Sequence, residues 1–104
     1  MKKKHYRPAR PFMEKLLKDP EIRVQFEAEC AKTLIADAVR SARLRADLTQ
    51  TELAKLAQTT QAVISRIESG TDSRIPSLEL LSRIAGACKA SFTFAFSFGS
   101  KRAA

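Results

Sequence analysis

Residues 48–70, LTQTELAKLAQTTQAVISRIESG, hold two helix starts, two short apolar stripes and one helix stop. Thr49 is placed to cap a first helix, and Glu52 three residues on completes a capping box. Leu53, Ala54, Leu56 and Ala57 follow as a one-sided apolar stripe. The polar trio Gln58, Thr59 and Thr60 interrupts it. Thr60 can cap a second helix, in which Ile64 and Ile67 form a narrow inward stripe. Gly70 stands where a helix-ending C′ glycine is expected. The pattern predicts two short helices joined by a tight turn. Helices this short bury too little to stand alone, so the rest of the chain must support them.

The second helix has an unusual free face, made of Gln61, Ala62, Ser65 and Arg66. An ordinary solvated face carries Glu and Lys; this one carries small and amide groups and one guanidinium. Gln can pair bidentately with adenine and Arg with guanine in the major groove, where a helix fits. Composition alone leaves two readings level: a helical hairpin with a polar outer face, or a helix that reads DNA. The net charge of +8 over 104 residues favours a polyanionic partner, most simply nucleic acid.

Several positions at fixed spacing resemble the phage-repressor (Xre/Cro-type) helix-turn-helix. Gln50 opens the first helix and Leu53-Ala54 lie on its buried face. Thr59-Thr60-Gln61 begin the recognition helix, and Ile64, Ile67, Glu68 and Gly70 close it. Gln58 departs from the pattern, which usually has Gly in the turn. A left-handed non-Gly residue there costs roughly 1 kcal/mol. The resemblance implies sequence-specific binding of double-stranded DNA at a near-palindromic operator. It also implies that Arg43, just before the motif, meets Glu68 at the end of the recognition helix. A bidentate pair would orient the helix more than stabilise it, because desolvation offsets much of the attraction. Gln50 and Thr60 stand at the two helix N-termini, where they are expected to hold phosphates. Arg74, in the polar loop 71–76, is placed to meet the sugar-phosphate backbone.

Residues 1–10, MKKKHYRPAR, are basic with no apolar period and read as a disordered arm. Such an arm either lies along phosphates or merely solubilises the chain. Residues 11–47 read as an N-terminal helical extension and the first supporting helix. Phe12, Leu16 and Met13 share one side of a short helical segment that must dock on its own core or on a partner. Asp19-Pro20-Glu21 is a strong helix start. The pattern from 20 to 46 fits one long helix or two with a break near Lys32. Ile22, Phe26 and Cys30 make an early stripe, flanked by Glu21, Glu27 and Glu29. Leu34, Ile35, Ala38, Val39 and Ala42 make a broader later one. Residues 48–90 read as the helix-turn-helix and a following helix, capped by Ser77, with Leu78, Leu81, Ile84 and Ala85 inward.

Residues 91–98, SFTFAFSF, change period. Phe92, Phe94, Phe96 and Phe98 alternate with small residues, which is a strand signal. A lone strand needs a second chain to pair with, so this segment predicts an antiparallel strand across a homodimer axis. Residues 99–104 are a short basic tail. The fold class expected is therefore mainly α: a five-helix-type, repressor-like helix-turn-helix domain with a long N-terminal helix and one C-terminal β-strand pairing in a dimer.

A second resemblance spans most of the chain. Residues 19–29 (DPEIRVQFEAE), the helix-turn-helix and residues 76–96 (PSLELLSRIAGACKASFTFAF) are similar to the Hig-type antitoxins of toxin–antitoxin operons. That likeness implies a repressor of its own operon that neutralises a small basic ribonuclease toxin. Phe12, Leu16, Ile22 and Phe26 are the residues expected to meet such a partner. The alternative is a stand-alone phage-like or metabolic Xre-family regulator. No spacing supports a catalytic site, a metal site or a cofactor, so neither an enzyme nor a cofactor is expected. Cys30 and Cys88 lack zinc or redox spacing and read as buried thiols of a reducing cytoplasm. No signal peptide or membrane span is expected.

Overall fold

The computed structural model describes residues 10–98. The expectations for the basic arm, with His5, and for the tail 99–104 lie outside the described residues, except that Arg10 already belongs to the first helix. Five helices follow in order: α1 (Arg10–Leu17), α2 (Pro20–Arg45), α3 (Gln50–Leu56), α4 (Gln61–Ser69) and α5 (Leu78–Ala87). Local chemistry sets each start. Asp19 caps α2 by accepting from the Glu21 amide at 2.9 Å, with Pro20 in the first turn. Thr49 and Glu52 form the full reciprocal capping box of α3. Thr60 and Ser77 cap α4 and α5 through the amides of Val63 and Leu80.

Helix α2 runs unbroken through Lys32. Its buried side chains begin only at Ala36, so about the first half of the helix lies outside the core. At 1.5 Å per residue the whole helix is about 39 Å long. The core joins Val39 of α2, Leu53, Ala54 and Ala57 in and after α3, Ile64 and Ile67 of α4, and Leu81, Ile84 and Cys88 in and after α5. Leu53 and Ile64 are fully buried at its centre. Each side chain so placed contributes roughly 1.5–3 kcal/mol. Helix α1 packs on α2, and from residue 12 to residue 17 it adds no buried side chain.

Five apolar side chains expected inside lie outside. Leu56 is exposed because α3 buries the arc from Leu53 through Ala57 to Ala54, and at about 100° per residue Leu56 falls roughly 110° from its centre. Leu34, Ala38 and Cys30 are exposed because all three fall away from the arc of α2 that holds Ala36 and Val39. Leu78 is exposed in the first turn of α5, whose buried face begins at Leu81. Cys88 alone of the two thiols is buried, and desolvation pushes it up from its ordinary pKa.

The expected strand is also corrected. Residues 91–98 form no strand, and there is no strand among the described residues. The physical reason is that a ladder needs a second extended segment, and none of the five helices supplies one. Phe92 is 38% exposed and Phe98 is 81% exposed, so the segment leaves its own domain progressively. The rings of Phe94 and Phe96 meet edge-on at 5.2 Å.

Candidate nucleic-acid interface

The turn between α3 and α4 is built from a Schellman closure. The Thr59 amide donates to the Ala54 carbonyl at 2.9 Å and the Gln58 amide to Lys55 at 3.2 Å. Gln58 takes the left-handed conformation, φ 60°, that this closure requires. Arg83 of α5 reaches across to the same helix end and donates from Nε to the Ala57 carbonyl at 2.8 Å. With Thr60 capping α4 at once, the two helices are set at a fixed angle, with α4 on the outside.

A chain of side chains holds α4 against α2 and α3. Arg43 donates from Nε to Glu68 Oε2 at 2.7 Å and from Nη2 to Oε1 at 3.0 Å, and from Nη1 to the Leu48 carbonyl at 2.9 Å. Gln50 Nε2 donates to Glu68 Oε1 at 3.1 Å, and Gln61 Nε2 donates to Gln50 Oε1 at 2.7 Å. The Arg43 and Glu68 side chains are only 13% and 5% exposed, which makes this a buried ion pair and not a surface one. Burial alone would push the Glu68 carboxyl up; hydrogen bonds from Arg43 and Gln50 and the charges of Arg43 and Arg40 outweigh it and hold the pKa below the ordinary value. The hydrogen bond to Glu68 and its charge raise that of Arg43 against the opposing effect of burial.

The direction of every bond in this chain follows from one group. An ionised carboxylate only accepts, so Gln50 must turn its amide nitrogen to Glu68. Its carbonyl oxygen then faces Gln61, which must donate in turn. Gln61 is left with a carbonyl oxygen and one amide hydrogen directed outward.

Gln61, Ala62 and Arg66 are exposed on α4, and Ser65 is half-buried between them. Gln50 is half-buried, with its amide engaged by Glu68 and Gln61 rather than free. Thr60 spends its oxygen on the Val63 amide and keeps its hydroxyl hydrogen to offer. Arg74 is exposed in the loop after α4, close to Arg66 through their common neighbour Asp72. Phe12, Ile22 and Phe26 are exposed and Leu16 half-buried, and none of the four belongs to the core. Three contributors were not legible in sequence: Asp72, Lys32 and Arg83 join residues 6 to 40 positions apart, and each looks like an ordinary surface charge. Among the described residues there is no cluster of three or more metal-ligating side chains, and no helix is long and apolar enough to cross a membrane.

Two short helices around a left-handed turn, the second braced from behind and bare in front, define a helix-turn-helix domain. The helix-turn-helix family profile (HTH_3) matches residues 39–94, more than half of the chain. The chain belongs to this Xre/Cro-type helix-turn-helix family and is a DNA-binding transcription regulator. No curated protein and no solved structure matches it.

Proposed function

We propose that the protein is a dimeric, sequence-specific repressor that reads its operator with α4. The observation that carries this reading is the free face of α4, where Gln61 and Arg66 stand beside Ala62 with no acidic residue among them. Gln61 is pre-oriented by Gln50 and Glu68, with one acceptor and one donor outward, the pattern that adenine presents in complement. Arg66 supplies the fork that fits guanine. Thr60 and Gln50 serve phosphates at the helix ends, the first through its hydroxyl hydrogen, the second as the brace of Gln61. Arg74 serves the backbone beside them.

The dimer is made by residues 91–98. Four phenylalanines lie on alternate positions, all four are exposed, and the segment's backbone has no ladder partner among the described residues. Two copies running antiparallel satisfy that backbone and place two α4 helices on half-sites about 34 Å apart. Residues 1–10 serve as a solubilising arm and residues 99–104 as a tail.

The protein also acts as the antitoxin of a toxin–antitoxin operon. This reading is favoured by α1 and the first half of α2, which present Phe12, Ile22 and Phe26 next to Glu21, Glu27 and Glu29 outside the core. Such a surface suits a small basic nuclease, and its bearer works in the cytoplasm. Footprinting on the promoter of the protein's own gene should show two protected half-sites related by a two-fold axis. Absence of any protected site there, with no co-purifying product of the adjacent gene, would overturn both parts.

A further inference from the structure

The loop after α4 places one carboxylate between two of the cations assigned to DNA. Asp72 Oδ2 lies 3.9 Å from Arg66 Nε, and Asp72 Oδ1 lies 3.9 Å from Arg74 Nε. Asp72 itself is held. Its Oδ1 accepts from the Arg74 amide at 3.1 Å. Its carbonyl accepts from Lys32 Nζ at 3.5 Å, a residue that also pairs with Glu29 at 3.0 Å. The Asp72 side chain is 21% exposed, against 50% for Arg66 and 84% for Arg74. The anion is therefore the fixed member and the two guanidinium groups are the movable ones.

At 3.9 Å neither contact is a hydrogen bond; each is a loose charge pair, weak enough to be given up to a better acceptor. DNA offers two kinds. A guanine edge presents two acceptors in the geometry of the Arg fork, whereas a phosphate of arbitrary sequence offers mainly charge. Phosphates arriving near Arg74 also meet the Asp72 charge. Its cost falls on every DNA, operator and random duplex alike.

We infer that Asp72 is an affinity-limiting residue of this surface: a built-in competitor for Arg66 and Arg74 that weakens binding to operator and random DNA alike. The inference rests on the reading of α4 and its following loop as the DNA-facing surface. Asp72→Asn tests it cleanly, because the amide oxygen still accepts from the Arg74 amide and the Lys32 contact to the backbone remains. Only the charge is removed.

The measurement is the Kd of the full chain and of Asp72→Asn for the footprinted operator and for a random duplex of equal length, across a salt series. Both duplexes should be bound roughly two- to five-fold more tightly by Asp72→Asn, the range of an exposed charge pair, with each salt slope steeper by about 0.9, one further phosphate neutralised. No change, or weaker binding of either duplex, would overturn the role of Asp72. A wild-type protein that binds neither duplex would instead overturn the DNA-facing assignment and this inference with it. If Asp72→Asn unfolds at lower temperature, Asp72→Ser, which also keeps an acceptor for the loop, must show the same tightening.

Discussion

Replacing Glu68 by Gln changes one heavy atom and tests the whole brace behind α4. Glu68 Oε1 accepts from Arg43 Nη2 and Gln50 Nε2, and Oε2 accepts from Arg43 Nε. A Gln amide can keep only one of those oxygens. With its oxygen at the Oε1 position, its nitrogen faces Arg43 Nε, donor against donor. One charge-assisted hydrogen bond is lost outright, worth about 1.5–3 kcal/mol. The Arg43 charge also loses its buried counter-ion, a change that costs about 3–5 kcal/mol when a pair is fully buried. These overlap, and Arg43 keeps its bond to the Leu48 carbonyl and 13% of its exposure, so about 3 kcal/mol is expected. For a domain of this size that lowers the midpoint by roughly 12–24 °C. Urea unfolding followed by circular dichroism at pH 7 measures it.

The pH dependence supplies a second check on the same variant. The folded-state pKa of Glu68 is depressed, so its stabilisation is present above the unfolded carboxyl value, about 4.3, and is lost as pH falls through the lower folded value. The gap between wild type and Glu68→Gln should therefore be constant at neutral pH and close below about pH 4. A gap under about 1 kcal/mol at pH 7, or one that widens in acid, would refute the argument.

Gln58→Gly should raise stability by about 1 kcal/mol, since φ 60° is held there by a residue with a Cβ; thermal unfolding would register a gain of several degrees, and a loss would show that the entropy of glycine outweighs the strain. Arg66→Ala should cost about 1–3 kcal/mol on the operator and relax one base pair, while Arg74→Ala should weaken all sequences alike and flatten the salt slope. Equal effects of Arg66→Ala on operator and random DNA in gel-shift titrations would show that Arg66 does not read bases. Deleting residues 92–104 should leave a monomer in sedimentation with much weaker operator binding; a truncated dimer of normal affinity would remove the segment from the interface.

The helix-turn-helix was legible because its determinants are local. Capping box, polar turn and terminal glycine act within a few residues, so the starts of α3, α4 and α5 follow from spacing alone, while the left-handed turn at Gln58 was expected from the family resemblance, which has Gly there. The free face of α4 was legible for the same reason, through its helical period. Periodicity could not say where the core stops. It assigned Leu34, Ala38, Leu56, Leu78 and Cys30 to the inside, and all five lie outside because burial depends on which neighbours arrive opposite. Alternation in 91–98 likewise marks a segment suited to pair, but a ladder exists only where a second strand lies alongside, and the described residues supply none. The charges behave in the same way. That Arg83 closes α3, that Lys32 ties down the loop after α4, and that Asp72 stands between Arg66 and Arg74 are consequences of packing that brings distant positions together. Short-range backbone chemistry dictates the elements; long-range proximity decides which exposed charges become parts of one surface.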